Sequence, residues 1–369
     1  MKYLDFHTPR YKFDREPFLM YSNHCMNLDP GFQIMAVNKF QRFIASDHLA
    51  EKAPIRKIME LAGDPIIKRH ENSTSVVYNE IVETIKSGSS VTISVESKKS
   101  NNGETGFISK KNAELAKECG CKLVTYRIDG GYLRTPRWGL EGRKGPVNGD
   151  IVNIYSKEEV ASMSVDELYD HICEDLYTNN YEYNRKQRNK YTCAHPAEAA
   201  EIILYACPKC KEFSTLHSKD DHIDCDCGFH ATVDEYGFWH SEDLAFDDLV
   251  SWDHWQKDLL KNFCAEKAGT KDLLFEDNQQ YVYVSKGTQK QVLSEDAELK
   301  LFADRFELKL GKEEVVIYLD DIKKIDSNSK MTLLIVTEDN YYHIKSKEYP
   351  RSATKYVVAA RYLMGKDNK

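Results

Sequence analysis

Phe18-Leu19-Met20-Tyr21-Ser22-Asn23-His24-Cys25-Met26-Asn27-Leu28-Asp29 is the stretch that decides how the first half of this chain is read. Phe18 to Tyr21 is a short apolar run with the pattern of a buried strand, and it stops at the polar Ser22-Asn23-His24. In an α/β layer such a strand carries its last residues to the C-terminal edge of the sheet, where ligands bind. Asp29 follows His24 across one turn. A carboxylate bonded to one imidazole nitrogen leaves the other free to accept a proton, which is what a general base needs. The H-x4-D spacing says little alone in a chain with 12 histidines and 59 acidic residues. Taken singly, His24 reads equally as a packed, hydrogen-bonded histidine at a strand end.

The neighbours give the pair its context. Residues 33–62 read as largely helical, broken near Asp47 and Pro54, and Ile66-Ile67 as a short strand. Val76 to Lys86 is helical, Val91 to Val95 is a β-branched strand running into Glu96, and a Ser/Asn/Gly loop spans Ser97 to Gly106. A helix from about Lys110 to Glu118 and a strand at Lys122 to Ile128 follow. Strands alternating with helices predict an α/β domain around a largely parallel sheet. Ser164 to Tyr177 reads as a helix capped by Ser164, with Glu167 as the capping-box partner.

Ser22 to Asp29 resembles the N-H-x4-D block of the 1-acylglycerol-3-phosphate acyltransferase (PlsC-type) family. Ile66-Ile67-Lys68-Arg69 looks like that family's second block, Glu96-Ser97-Lys98-Lys99-Ser100-Asn101-Asn102-Gly103 lines up with its E-G-T-R-S-x-x-G block, and Val124 to Ile128 sits where it has a V-P-V-x-I strand. The four occur in family order over residues 18–140. The resemblance implies a glycerolipid acyltransferase-like α/β domain in which His24 is the general base and Asp29 orients it. Asn23, Arg69, Glu96, Lys98, Lys99 and Ser100 are then the candidate substrate-binding residues. It implies transfer of a fatty acyl group from a thioester, acyl-CoA or acyl carrier protein, to the hydroxyl of a lysophospholipid at a peripheral membrane surface. A phosphate monoester needs cationic donors, and residues 56–144 hold 16 Lys/Arg against 11 Asp/Glu, although a basic helix face gives the same count. The third block departs from the family: Ser94-Val95 replace Phe-Pro, Ser97 replaces Gly, and Lys99 replaces an Arg that could grip phosphate with two donors. A weak or inactive acyltransferase-like lipid-binding or adaptor protein is the alternative.

Composition excludes other classes. The net charge of −8 argues against a nucleic-acid partner. No apolar run reaches the ~18–20 residues a membrane span needs, and Met1 to Asp5 begins no signal sequence, so a cytoplasmic location, peripheral at the inner membrane face, is expected. Cys207-Pro208-Lys209-Cys210 and Cys225-Asp226-Cys227 resemble the two knuckles of a zinc ribbon, with Phe213 to Ser218 and His222 to Asp224 as hairpin strands. Four thiolates imply structural Zn2+, with a set of unliganded buried thiols as the alternative. His222 or His230 could replace one thiol. Asp220, Asp221, Asp224 and Asp226 make the ribbon acidic, which suits a scaffold better than a nucleic-acid contact.

After an acidic, Trp-containing helix at about 244–265 the chain turns β-rich: 280–284, 297–302, 305–310, 314–319, 331–336 and 340–345, closed by a helix at about 353–364. Six or seven strands and a helix resemble a pleckstrin-homology (PH) or GRAM-like β-barrel. Such a module could dock an anionic lipid head group, yet no dense basic cluster is visible in the sequence. The expected domains are 1–192 (acyltransferase-like), 193–268 (zinc ribbon with flanking helices) and 269–369 (PH-like).

Overall fold

The computed structural model describes residues 5–46, 65–68, 74–96, 98–286, 289–328, 331–347 and 352–366. The chain divides into two compact units, Met1–Pro136 with Arg143–Thr192, and Arg137–Gly142 with Cys193–Lys369.

The strands of the first unit are β1 (Phe6–His7), β2 (Phe18–Ser22), β3 (Gln41–Ser46), β4 (Ile66–Lys68), β5 (Ser90–Ser94), β6 (Lys122–Asp129) and β7 (Val147–Tyr155). They form one sheet in the order β1-β7-β6-β2-β5-β3-β4, parallel throughout except for the β6–β7 pair. Its described helices are α1 (Asp29–Ala36), α2 (Thr74–Lys86), α3 (Lys111–Cys119), α4 (Gly131–Arg134), α5 (Lys157–Ser162), α6 (Val165–Leu176) and α7 (Asn180–Gln187). Because β2 lies mid-sheet, both its faces are covered, and this is why its sequence is a continuous apolar run. Leu19 and Tyr21 pack with residues of α2, α3 and α6, while Phe18 and Met20 pack with Phe32 and Ala36 of α1. Ser164 caps α6 in a reciprocal box with Glu167 as expected, and Ser156 and Glu159 form a second such box on α5.

One expectation changes here, and one strand appears where none was expected. Gln41–Ser46, read as helix, is a strand hydrogen-bonded between β5 and β4. Gln-Arg-Phe-Ile-Ala-Ser is too short for its period to separate helix from buried strand, and pairing decided it. Val147–Tyr155 went unassigned; its polar Asn-Gly-Asp start hides a strand whose outer positions are wet. The segments read as helix within residues 47–62 lie outside the described residues.

The second unit opens with a 3-10 turn at Ala200–Ile202 and a small antiparallel sheet of β8 (Leu216–Lys219), β9 (His222–Cys225), β10 (Phe229–Val233) and β11 (Trp239–His240). Helix α8 (Leu249–Lys267) packs on it: Trp252 meets Phe229 and Trp239 edge-on at 5.8 and 5.7 Å. A second sheet follows, formed by β12 (Leu273–Lys286), β13 (Gln289–Phe302), β14 (Arg305–Leu310), β15 (Glu313–Tyr318), β16 (Lys324–Asn328), β17 (Thr332–Val336) and β18 (Tyr341–Ser346), and α9 (Ala353–Leu363) covers its inner face. The order β15-β14-β13-β12-β18-β17-β16 leaves β15 and β16 as edges, so among the described residues the expected barrel takes the form of a half-barrel sheet with α9 against it. Phe213, between the cysteine pairs, packs on Phe263 and Phe275 at 5.3 and 5.6 Å, so this segment joins the core under the second sheet.

Candidate active site and cysteine cluster

The chain leaves β2 at Ser22 and turns through residues 23–28 into α1, whose first residue is Asp29. That turn builds the site. The Asp29 carboxylate is fully buried and accepts the backbone N–H groups of Cys25 (2.9 Å) and Met26 (3.1 Å). Its Oδ2 lies 2.7 Å from Nδ1 of His24. A carboxylate can only accept, so Nδ1 carries the proton and Nε2 of the neutral ring keeps its lone pair. The His24 side chain is 28% exposed against 0% for Asp29. An oriented, partly open imidazole over a buried anion can take a proton from a bound hydroxyl and be stabilised while it holds it.

Backbone contacts fix the position of His24. Its N–H donates to Glu96 Oε1 at 2.7 Å, and its carbonyl accepts from the Ser100 N–H at 3.0 Å. Glu96 lies just beyond β5, beside β2, and its second oxygen accepts from the Gly106 N–H. Burial pushes the Glu96 carboxyl up to about 7, against the opposing pull of the Gly106 and His24 N–H donors. Asn23 makes a two-way bond with Ile128 at the end of β6: its Oδ1 accepts the Ile128 N–H at 2.8 Å, and its Nδ2 donates to the Ile128 carbonyl at 2.9 Å. Beneath, Gln33 of α1 donates to Ser22 Oγ at 2.7 Å, and Gln41 donates to the Gln33 carbonyl at 2.8 Å.

Of the residues singled out in the sequence, His24, Asp29, Asn23, Glu96 and Ser100 come together. Asn23, Glu96 and Ser100 are buried and bonded within the protein. The Ser100 hydroxyl donates to the Glu104 carbonyl and accepts from the Gly103 N–H. These three therefore hold the backbone around His24, where the sequence suggested direct substrate contact. Lys98 and Lys99 are half-buried, and Lys99 Nζ bonds Asn27 Oδ1 at 3.0 Å, beside the His24–Asp29 turn. Arg69 and Ser97 lie outside the described residues. Gly106, Gln33 and Ile128 were missed: the first and last act through backbone atoms, which leave no mark in a sequence pattern, and Gln33 read only as a helix residue. Exposed Leu28, Ile34 and Phe40 lie on or beside α1, and Phe107 follows Gly106.

In the second unit the Sγ atoms of Cys207, Cys210, Cys225 and Cys227 all lie within 4.8 Å of one another. Cys207–Cys227 and Cys210–Cys225 are 3.6 and 3.8 Å apart. The sulfurs of a tetrahedral zinc with bonds of about 2.3 Å are about 3.8 Å apart, so the donor set and its spacing fit this ion. Gly228, at φ +84°, turns the chain after the C-x-C pair and returns its N–H to the Cys225 carbonyl. His222 and His230 stay out of the cluster: His230 Nδ1 bonds Asp224 at 2.6 Å and His222 faces Asp221 and Asp224 at 3.2 and 3.4 Å.

No helix among the described residues is long and apolar enough to cross a membrane. No curated protein matches the chain. Among solved structures, the 1-acyl-sn-glycerophosphate acyltransferase PlsC of Thermotoga maritima is 16% identical with a TM-score of 0.40, over 50% of this chain and 74% of that one. The Vps36 N-terminal PH domain is 13% identical with a TM-score of 0.22, over 26% of this chain and 80% of that one. A C-terminal domain of an unknown protein from Leishmania infantum is 17% identical with a TM-score of 0.19, over 27% and 86%. Residues 4–129, which hold the His24–Asp29 turn, match the model of the family described as Acyltransferase, so this part of the chain is similar to that family.

Proposed function

We propose that the first unit transfers a fatty acyl group from a thioester to the hydroxyl of a lysophospholipid such as 1-acylglycerol-3-phosphate. The observation that carries this reading is the His24 ring held by buried Asp29, with its second nitrogen partly open. Nε2 of His24 takes the proton of the acceptor hydroxyl as its oxygen attacks the thioester carbonyl. Asp29 stabilises the imidazolium, the C–S bond breaks, and the departing thiolate recovers the proton from His24. Asn23, Glu96 and Ser100 act as positioning residues. Lys98 and Lys99 supply charge for the acceptor's phosphate, and the sequence blocks add Arg69. The exposed Leu28, Ile34, Phe40 and Phe107 support an amphiphilic acceptor presented at a membrane surface. Zn2+ held by Cys207, Cys210, Cys225 and Cys227 supplies structure, since four thiolates leave no open position.

The test is acyl transfer by the purified full chain with acyl-CoA or acyl carrier protein donors and lysophosphatidate. His24→Ala should cost roughly 10²–10⁴-fold in turnover with an unchanged melting profile. Turnover that survives this change sinks the mechanism. Lipid retention without any turnover by the unaltered chain favours the adaptor reading suggested by the altered Ser97 and Lys99 positions.

A further inference from the structure

We propose that Gln33, acting through Ser22, is a positioning residue for the proton transfer at His24: it locks the peptide unit that joins Asn23 to His24. The kinetic consequence rests on the acyl-transfer reading, whereas the lock itself does not. The need for a lock comes from where His24 sits. Within β2 the backbone is held by its ladders to β5 and β6, and both registers end at Ser22. Just past them the Val95 N–H still reaches the Ser22 carbonyl at 3.0 Å. The next peptide, between Asn23 and His24, has no strand beside it to fix its plane. A planar peptide turns as one body, so its rotation changes ψ of Asn23 and φ of His24 together. Such a rotation swings the imidazole away from Asp29.

Side chains grip that peptide at both ends. Its N–H, on His24, donates to Glu96 Oε1 at 2.7 Å, and its carbonyl, on Asn23, accepts from Ser22 Oγ at 2.6 Å. The Ser22 hydroxyl has a single proton. Giving it to the Asn23 carbonyl leaves only lone pairs, and Gln33 Nε2 donates to one of them at 2.7 Å. The direction of the chain is thereby fixed: amide to hydroxyl to carbonyl. A hydroxyl that accepts a bond is polarised into a better donor, so Gln33 strengthens the grip of Ser22 on the peptide. Ser22, Asn23 and Gln33 are each at most 1% exposed, so bulk water does not replace a lost partner. Gln33 is itself anchored, because Gln41 of β3 donates to its carbonyl in the last turn of α1, and Thr92 of β5 donates to Gln41 Oε1. Packing does not ask for an amide here. Phe32 and Ala36 of the same helix are core residues, and a leucine of similar size would bury without desolvating a polar group. What the amide adds is the bond to Ser22. A general base works only when held close to its productive geometry, and a misplacement of about 1 Å costs on the order of 100-fold in rate.

Gln33→Leu and Ser22→Ala in the full chain test it by two readouts. The first needs no turnover: hydrogen exchange of the His24 amide, followed by NMR, should speed up about tenfold or more in either variant. The second is acyl transfer from acyl-CoA to lysophosphatidate. There kcat should fall about tenfold or more with KM unchanged, because both residues are buried beneath the site and change only the geometry of the base. The double variant should lose no more than the worse single one, since both changes break the same chain. Thr125→Val removes a buried hydroxyl of β6 that donates to Asp175 at 2.8 Å; it should lower the melting temperature and leave both readouts unchanged. Unchanged exchange at His24 overturns the proposal, as does faster exchange with wild-type kcat. Equal changes in Thr125→Val also overturn it, because they reduce the effect to lost stability. A wild-type chain without turnover, whose His24 exchange still responds to Gln33→Leu, keeps the lock and removes the acyl-transfer reading.

Discussion

At the scale of single residues, the site depends on who bonds to Asp29 and Glu96. Both carboxylates are buried, and both collect backbone N–H groups, yet they serve different ends: one orients an imidazole, the other pins the chain that carries it. Glu96 also makes stability depend on pH. Its folded value near 7 lies above the ordinary 4.5 because burial disfavours the charge. Between those values the folded chain binds more protons than the unfolded one. The stabilisation is thus complete below about 4.5 and lost as pH rises through about 7, on the order of 3 kcal/mol in total. Urea midpoints of the wild-type chain should fall across this window more steeply than those of Glu96→Gln, which cannot titrate; parallel curves would refute the assignment. His24, Asp29 and Glu96 were legible in the sequence as residues, because their spacing and order follow a family pattern. That Glu96 faces the His24 N–H was not, since the bond joins residues far apart in the chain through a backbone atom.

At the scale of elements, the clearest energetic statement concerns α9 and β12. Lys355 of α9 and Asp277 of β12 form an ion pair at 2.8 Å, each side chain only 2% exposed. Asp277 also accepts from the Tyr356 hydroxyl at 2.8 Å, and Lys355 donates to Ser214 Oγ at 2.6 Å. Removing one charge leaves the other buried and unpaired. Asp277→Ala should therefore cost about 3–5 kcal/mol in equilibrium unfolding, while replacing both, Asp277→Leu with Lys355→Met, should recover most of that loss. A double variant no more stable than the single one would show that the pair itself is what stabilises. Element types followed local pattern well where periods were long or β-branched: α6, β14 and β17 stand close to their expected bounds, and α8 begins five residues later than expected. Pattern failed at β3, where six residues carry no clear period, and at β16, whose Lys-Ile-Asp-Ser-Asn reads as loop until β17 pairs with it.

At the scale of the molecule, the described chain is two compact units, one whose residues 4–129 match the Acyltransferase family model and one in which the segment between the cysteine pairs packs on the core of the half-barrel. Phe213 lies between the cysteine pairs and inside that core, so loss of the metal should be felt well beyond the knuckles. Elemental analysis should give about one zinc per chain, and the Cys207→Ser/Cys225→Ser variant should lose it. The melting temperature of the second unit should drop by roughly 10 °C or more in that variant. Zinc below about half an equivalent, or a melting profile indifferent to both cysteines, would end the structural-metal reading.

The sequence by itself determined that His24 and Asp29 meet across one turn, the α/β character of the first unit and the four-thiol set. Each is a short-range pattern: a strand, a turn and a fixed spacing lie within a few residues, where chain connectivity enforces proximity. Tertiary structure alone decided which groups hold His24 in place and that the second sheet stays open. It also decided that Lys290, Lys345 and Lys347 line one hollow with Tyr281 and Tyr283, because strand register and a bulge bring together residues that the sequence scatters.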